Sequence, residues 1–138
     1  MIKIVIDAMG GDFAPAQQVK GAVEALAKDK ELSVVLTGDE SAVKAELSKY
    51  PYDPSRVEIV HAPEVITNDE VPTKAVKTKK NSSTVVAFQL LKEGKADALV
   101  SSGATGAVLT AAVLILGRIK GISRPALCPR IPNLRGTG

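Results

Sequence analysis

Short runs of β-branched residues alternate with amphipathic segments over most of this chain, and that alternation constrains its fold more than any other feature. Four apolar runs predict strands over Ile2–Ile6, Ser33–Thr37, Arg56–Val60 and Asp97–Val100. The segments between them carry apolar residues at three- and four-residue spacing, which is the pattern of a helix that covers a sheet. Strands that alternate with helices predict an α/β fold with a parallel sheet.

Capping residues and helix breakers mark five helices. They are predicted to begin near Pro15, Asp39 or Ser41, Pro72, Asn81 or Ser82, and Ala107. The last segment, Ala107–Leu116, is apolar except for Thr110, which predicts a helix buried all round in a large domain or a subunit interface. It is far too short to cross a bilayer, which takes about 20 residues.

The charge is divided unevenly along the chain. Residues 1–117 contain 13 basic and 15 acidic residues, whereas residues 118–138 contain five basic residues and no acidic one. The net charge of +3 therefore reflects the last segment rather than the body, which disfavours a nucleic-acid-binding function. The four aromatic residues are scattered, which disfavours a protein that stacks bases. The single cysteine, Cys128, has no internal disulfide partner and fits a reducing cytoplasm.

A glycine-rich loop, Asp7–Asp12, follows the first predicted strand. Ligands of open α/β sheets bind at the carboxyl ends of the strands, so this loop is a candidate ligand site. Gly10 and Gly11 permit close approach of the backbone to a ligand. The chain lacks both the G-x-G-x-x-G dinucleotide motif and the G-x-x-x-x-G-K-[ST] phosphate loop, which disfavours a nicotinamide dehydrogenase. A tight strand-to-helix turn without a ligand is the alternative interpretation.

A second loop, Ser101–Gly106, follows the fourth predicted strand and leads into the apolar helix. Its small residues expose backbone N–H groups at a helix N-terminus, where the helix dipole adds positive potential. This combination predicts an anion site, most naturally for phosphate, at Ser102, Gly103, Thr105 and Gly106. Simple capping of the helix by Ser102 or Thr105 explains the same residues without a ligand.

Four lysines between residues 74 and 80 directly precede Asn81 and Ser82. Such a run is most often a solvated face. The alternative is that Lys80, beside a capped helix N-terminus with free backbone donors, binds a phosphate or a thioester oxygen. A basic surface at this position would also attract an acidic partner.

Four ordered blocks carry a family resemblance. They are Val5–Asp12 (VIDAMGGD) with Ala14-Pro15 after it, Thr73–Ser83 (TKAVKTKKNSS), Ala96–Ala107 (ADALVSSGATGA) and Gly117–Leu127 (GRIKGISRPAL). Each block alone is weakly specific, but the four in order, from residue 1 to about 129, resemble the bacterial phosphate acyltransferases of phospholipid synthesis.

This resemblance implies an enzyme that converts acyl-[acyl carrier protein] and inorganic phosphate into acyl phosphate and free carrier protein, with no metal or organic cofactor. It implies a doubly wound fold similar to the isocitrate/isopropylmalate dehydrogenase-like group, usually a homodimer, in the cytoplasm or peripherally at the membrane. Lys80, Asn81 and Ser82 are then expected to polarise the thioester or the phosphate. Asp7, Gly10 and Gly11 are expected to line the same crevice as the phosphate site.

Residues 122–138 form an irregular segment with three prolines, in which the resemblance is expected to end after about Pro129. Residues 1–121 are accordingly assigned to the amino-terminal α/β part of the acyltransferase domain. Members of the resembling family continue well beyond this length, which indicates an incomplete copy. The alternative to an active acyltransferase is therefore a catalytically inactive fragment that only binds phosphate or carrier protein.

Overall fold

A parallel four-stranded sheet organises residues 1–128, the part of the chain that the computed structural model describes. Its strands are β1 (Ile2–Asp7), β2 (Leu32–Gly38), β3 (Val57–His61) and β4 (Ala98–Val100), in the order β3-β2-β1-β4. All three pairings are parallel, as the alternation of strands and helices predicts. The carboxyl ends of the strands therefore lie together, at what we call the carboxyl edge of the sheet.

Helices pack on both faces of this sheet. They are α1 (Ala16–Lys28), α2 (Glu40–Leu47), α3 (Pro72–Thr78), α4 (Ser83–Lys92) and α5 (Thr105–Ala111), which continues as a π-helical turn over Ala112–Leu116. One face, the α1 face, packs against α1 and α2, and its core includes Val34 and Leu36. The opposite face, the α4 face, packs against α4 and buries Val5 and Val35. Each fully buried side chain of this size contributes about 1.5–3 kcal/mol, so the two cores hold the layers together.

The observed strands agree with the predicted ones to within one or two residues. β1 extends to Asp7, so this carboxylate belongs to the strand itself and not to the loop after it. Asp39 caps α2 by accepting a hydrogen bond from the Ala42 amide, and Ser82 caps α4. α3 ends at Thr78, so Lys80 lies outside the short basic helix predicted to reach it.

The prediction that the last apolar helix is buried all round is wrong for the described residues. Ala107 and Ala111 are buried, but Leu114 is 51% exposed and Leu116 is 43% exposed. The physical reason is that this helix packs one side against α3 and α4, while no other part of residues 1–128 covers its far side. Within residues 1–128, no helix has the length and apolar character needed to span a membrane.

Candidate functional site at the carboxyl edge

The Asp7 carboxylate joins three separate segments at the carboxyl edge. Its Oδ2 accepts a hydrogen bond from Thr84 Oγ1 at 2.7 Å and another from Ser101 Oγ at 2.8 Å. Thr84 lies in the first turn of α4, and Ser101 is the first residue after β4. Because Asp7 is fully buried, these hydrogen bonds form away from bulk water and are stronger than exposed ones. Asp7 thus holds the three segments together, and it is also one of the residues that line a groove of about 340 Å³ beside them.

Gly10 brings the first loop into direct contact with the second. A Cβ at this position would lie 2.7 Å from Asp7 Oδ2 and 2.9 Å from the Gly103 amide nitrogen. No side chain fits there, which explains why the glycine-rich loop after β1 needs Gly10. The neighbouring Gly11 has φ +116°, a left-handed conformation that other residues rarely adopt.

Ser102 connects the loop after β4 to the loop after β1 through hydrogen bonds. Its Oγ donates a hydrogen bond to the Gly10 carbonyl at 2.7 Å and accepts one from Gln18 Nε2 at 2.9 Å. Gln18 Nε2 also donates to the Gly10 carbonyl, at 2.6 Å. The Gly103 amide donates to Ser101 Oγ at 3.1 Å. The structure therefore brings together Asp7, Gly10, Gly11, Ser102 and Gly103, as the sequence analysis expects for residues of one crevice.

Thr105 and Gly106 begin α5 beside these loops. The helix has no side-chain cap, because its N-cap residue is Ala104. Capping by Ser102 or Thr105, the alternative raised from the sequence, does not occur. Thr105 is exposed. Gly106 packs against α3, where a Cβ would lie only 2.8 Å from Pro72 Cγ, so its observed role is close packing.

Ser82 is fully buried and caps the first turn of α4. Its Oγ donates to the Lys79 carbonyl at 2.9 Å and accepts from the Val85 amide at 3.4 Å. Both bonds are internal to the chain, and the role of Ser82 in polarising the thioester or the phosphate stays a prediction. The backbone N–H of Asn81 donates a hydrogen bond to Glu64 Oε2 at 3.0 Å, and the residue is exposed.

The adjacent lysines differ in their surroundings. Lys79 Nζ donates to Glu70 Oε2 and to the Val65 carbonyl, each at 2.7 Å. The hydrogen bond from Lys79 is the main cause that lowers the pKa of Glu70 below its ordinary value. Lys80 is exposed and makes no ion pair within residues 1–128. It lines a small groove with Val76 and Leu114, and it has no hydrogen bond to the loop that contains Ser102.

Three buried polar atoms at this edge have no hydrogen-bond partner among the described residues. They are Asp7 Oδ1, Gln18 Oε1 and Ser83 Oγ, and the residues Asp7 and Ser83 are only 0% and 1% exposed. Buried polar atoms are nearly always paired in native proteins, so atoms of this kind mark a place where further donors or acceptors are expected. Within residues 1–128, no group of three or more His, Cys, Asp or Glu side chains could hold a metal ion.

Thr84 and Gln18, which complete the hydrogen-bond network, are not among the residues that the sequence predicts for the site. Thr84 lies within a run of hydroxyl residues at the start of a helix, and this run was the available signal. Gln18 is a polar residue on the first turns of α1, and only knowledge of the second loop's position identifies its partner.

Comparison with known proteins identifies the family. The family model described as "Fatty acid synthesis protein" matches residues 2–138, which include residues 122–138, where the sequence analysis predicts that the resemblance ends. The phosphate acyltransferase of Clostridioides difficile is 51% identical over 97% of this chain and 39% of its own length. That of Dictyoglomus turgidum is 55% identical over 96% of this chain and 39% of its own length.

The chain thus spans about 40% of the length of these relatives and corresponds to their amino-terminal part. Among solved structures, the EutD phosphotransacetylase from Staphylococcus aureus superposes with a TM-score of 0.59 over 89% of this chain and 40% of its own. At 23% identity, that likeness supports the fold alone. On the strength of the family match and these relatives, this chain belongs to the fatty acid synthesis protein family, whose similar members are named phosphate acyltransferases.

Proposed function

We propose that this chain contributes the phosphate-binding part of an acyltransferase, one that forms acyl phosphate from acyl-[acyl carrier protein] and inorganic phosphate in fatty acid and phospholipid synthesis. The observation that carries this proposal is the convergence of three segments at the carboxyl edge: the loop after β1, the first turn of α4 and the loop after β4. Ligands of open α/β sheets bind at this edge.

The proposed reaction needs no nucleophile from the protein. A phosphate oxygen attacks the thioester carbonyl carbon, a C–O bond forms, the C–S bond breaks, and the departing sulfur takes the proton of hydrogen phosphate. The products are acyl phosphate and the free thiol of the carrier protein. The protein then has to position the two substrates and to stabilise the negative charge on the carbonyl oxygen, which backbone N–H groups and lysines do well.

The residues divide into two roles in this proposal. Thr105 and the uncapped N–H groups of the first turn of α5 bind phosphate, beside Ser102 and Gly103. Lys80 and Asn81, both exposed, attract and polarise the anionic substrate. Asp7 and Ser82 are positioning residues, because both are fully buried and make internal hydrogen bonds.

The wider setting is part of the same proposal. The carrier protein is acidic, so the lysines before Asn81 would attract it. We expect the complete enzyme to be a homodimer in the cytoplasm or peripherally at the membrane. We also expect its fold to belong to the isocitrate/isopropylmalate dehydrogenase-like group, and its reaction to need no metal or organic cofactor.

The test uses a chimera in which this chain replaces the matching segment of the Clostridioides difficile phosphate acyltransferase. Acyl phosphate is trapped with hydroxylamine, and the free carrier-protein thiol is measured in parallel. Thr105→Val is expected to raise KM for phosphate about tenfold or more, because a hydrogen bond to a charged group contributes about 1.5–3 kcal/mol. Lys80→Ala is expected to lower kcat/KM for the acyl carrier protein by about tenfold or more.

Matched controls come from exposed positions outside the candidate site. Thr73→Val and Lys30→Ala make the same chemical changes at residues without a proposed role, and they are expected to keep the chimera's rates within about twofold. Unchanged rates in both Thr105→Val and Lys80→Ala would contradict the proposed roles. A chimera that unfolds cooperatively but forms no acyl phosphate, while the unaltered relative does, would contradict the proposed function.

A second candidate is a fragment that binds without turnover, and it is favoured by the chain's spanning only about 40% of its relatives. Calorimetry of the 138-residue chain with inorganic phosphate and with carrier protein, run beside the hydroxylamine assay, separates the two candidates. Binding of either ligand with no acyl phosphate formed by this chain supports the second candidate.

A further inference from the structure

Lys80 and Asn81 are the two central residues of a β-turn, which we call the 79–82 turn. It begins at Lys79 and ends at Ser82, and the Ser82 backbone N–H closes it by donating to the Lys79 carbonyl at 3.2 Å. Ser82 is fully buried, whereas Lys80 and Asn81 are exposed. The positions of the two end residues therefore decide where the exposed residues between them lie.

The side chain of Lys79 joins the first residue of this turn to the β3–α3 connection, residues 62–71. Its Nζ donates to the Val65 carbonyl and to Glu70 Oε2, each at 2.7 Å. Glu70 Oε2 also accepts a hydrogen bond from the Thr67 backbone N–H at 2.9 Å, so the acceptor is itself held in place. Only 30% of the Lys79 side chain is exposed. Because hydrogen bonds between ionised groups are among the strong ones, they hold this ammonium group to the protein.

Glu64, in the same β3–α3 connection, holds the far side of the turn. Its carboxylate accepts from the Asn81 backbone N–H at 3.0 Å, and its own backbone N–H donates to the Asn81 carbonyl at 3.3 Å. Its carbonyl accepts from the Ser83 backbone N–H at 3.0 Å. Two residues further along, Ile66 is only 7% exposed and packs in one core with Val85. The connection is therefore a firm support for the turn.

The two adjacent lysines of the turn consequently differ in what their ammonium groups can do. Lys79 uses its donors inside the protein, whereas Lys80 is exposed and makes no ion pair in the described part of the chain. A group that polarises a substrate has to be held close to its productive position, and a displacement of about 1 Å can cost much of the rate. Since a lysine side chain is a flexible four-carbon stem, its backbone is the part that the protein can fix.

We propose that Lys79 and Glu64 are positioning residues, which hold the 79–82 turn so that Lys80 meets the substrate, while neither of them touches the substrate. The part assigned to Lys80 rests on the proposed function, whereas the anchoring of the turn does not. Lys79 then acts through Lys80. Removing the Lys79 ammonium group costs activity only while the Lys80 ammonium group is present to be misplaced.

The test is a double-mutant cycle in the chimera described above, with acyl phosphate trapped by hydroxylamine. Lys79→Met keeps most of the aliphatic stem and removes the ammonium group. With Lys80 present, we expect this substitution to lower kcat/KM for acyl carrier protein by about tenfold or more. In a chimera that carries Lys80→Ala, the same substitution is expected to lower it by less than about twofold, because the two residues act as one unit.

The matched control is Lys44→Met, which removes an ion pair with Glu40 on the exposed side of α2. It is expected to leave the rates of both chimeras within about twofold. An equal loss from Lys79→Met in the two backgrounds would overturn the proposal, since Lys79 would then act on the substrate itself or on the fold as a whole. An unchanged rate after Lys79→Met, in a chimera whose rate does fall after Lys80→Ala, would overturn it as well.

Amide hydrogen exchange in the 138-residue chain tests the anchoring without any measurement of activity. Lys79→Met and, separately, Glu64→Ala are expected to speed exchange at the Asn81 and Ser82 amides by at least about tenfold, with the amides of β2 unchanged. Unchanged exchange at the turn in either folded variant would overturn the proposal, and so would an equal acceleration in β2. A chimera that forms no acyl phosphate with all its residues intact would contradict the proposed function, and the exchange rates then decide the anchoring by themselves.

Discussion

Replacing Gly10 by alanine tests whether the two loops at the carboxyl edge are as tightly packed as the structure shows. The added methyl group would lie 2.7 Å from Asp7 Oδ2, 2.9 Å from the Gly103 nitrogen and 3.0 Å from Asp7 Cγ. None of these atoms can move freely. The Asp7 carboxylate is held by two hydrogen bonds, and the Gly103 nitrogen is backbone that itself donates to Ser101. The loops must therefore separate.

The cost of that separation has two parts. Insertion of a methyl group into a packed site costs about 1–3 kcal/mol. Loss of at least one hydrogen bond between the loops, such as that from Ser102 to Gly10, adds about 0.5–1.5 kcal/mol. We therefore expect Gly10→Ala to lower the free energy of unfolding by about 2–4 kcal/mol. For a chain of this length the thermal midpoint would fall by roughly 7–14 °C.

The matched control is Gly21→Ala, the same chemical change in the middle of α1. A Cβ at Gly21 meets nothing within 4 Å, and alanine is the better helix former by about 1 kcal/mol, so this variant is expected to be more stable than the parent. Urea unfolding followed by far-UV circular dichroism measures both variants. A Gly10→Ala midpoint equal to the parent's, or shifts of the same sign in both variants, would refute the packing argument.

Three further changes address the hydrogen bonds and the ion pair that position the site. Thr84→Val removes one of two donors to Asp7 and is expected to destabilise the chain by about 1–3 kcal/mol in urea unfolding, whereas the exposed Thr73→Val should change it by less than about 0.5 kcal/mol. Ser82→Ala removes the cap of α4 and is expected to cost about 1 kcal/mol, with faster amide exchange in the first turn of that helix; unchanged exchange there would contradict the capping role. The pKa of Glu70 is lowered in the folded chain, so its ion pair stabilises above the ordinary carboxyl pKa of 4.5 and is lost as the pH falls through the lowered value. The urea midpoint of Glu70→Gln should therefore lie below the parent's at pH 7 and converge with it in acid, and a difference that is independent of pH would contradict this reasoning.

Much of the fold could be predicted from the sequence because the governing signals are local. A buried parallel strand reads as a run of β-branched residues, as in Ile2–Ile6, and a helix cap reads as a single polar residue, as at Asp39 and Ser82. These signals predicted all four strands, the parallel pairing and most helix starts. The burial of the apolar helix after β4 was predicted wrongly. The composition of a segment shows how apolar it is, whereas its exposure depends on which other elements pack against it.

The candidate site could be predicted only in outline. The rule that ligands bind at the carboxyl ends of strands correctly brought Asp7, Gly10, Ser102 and Gly103 together. The same rule does not indicate which of these side chains form hydrogen bonds within the protein and are therefore not free to contact a ligand. Ser82 and Asp7 are both polar residues in motif-like segments, and their burial becomes visible only when distant parts of the chain are packed. Thr84 was missed for the same reason, since its partner lies 77 residues away in the sequence.

The short β4 strand has a consequence for how the site is kept intact over time. β4 contains three residues, and its register with β1 is supported by a reciprocal pair of hydrogen bonds between Lys3 and Asp97. Ser101, which follows directly, is bonded to Asp7 across 94 residues. Local opening of a protein begins where few contacts hold an element in place. Ser101, Ser102 and Gly103 follow β4 directly, so opening of the β1–β4 pairing would pull on their hydrogen bonds to Asp7 and Gly10, and this short pairing helps to keep the carboxyl edge assembled.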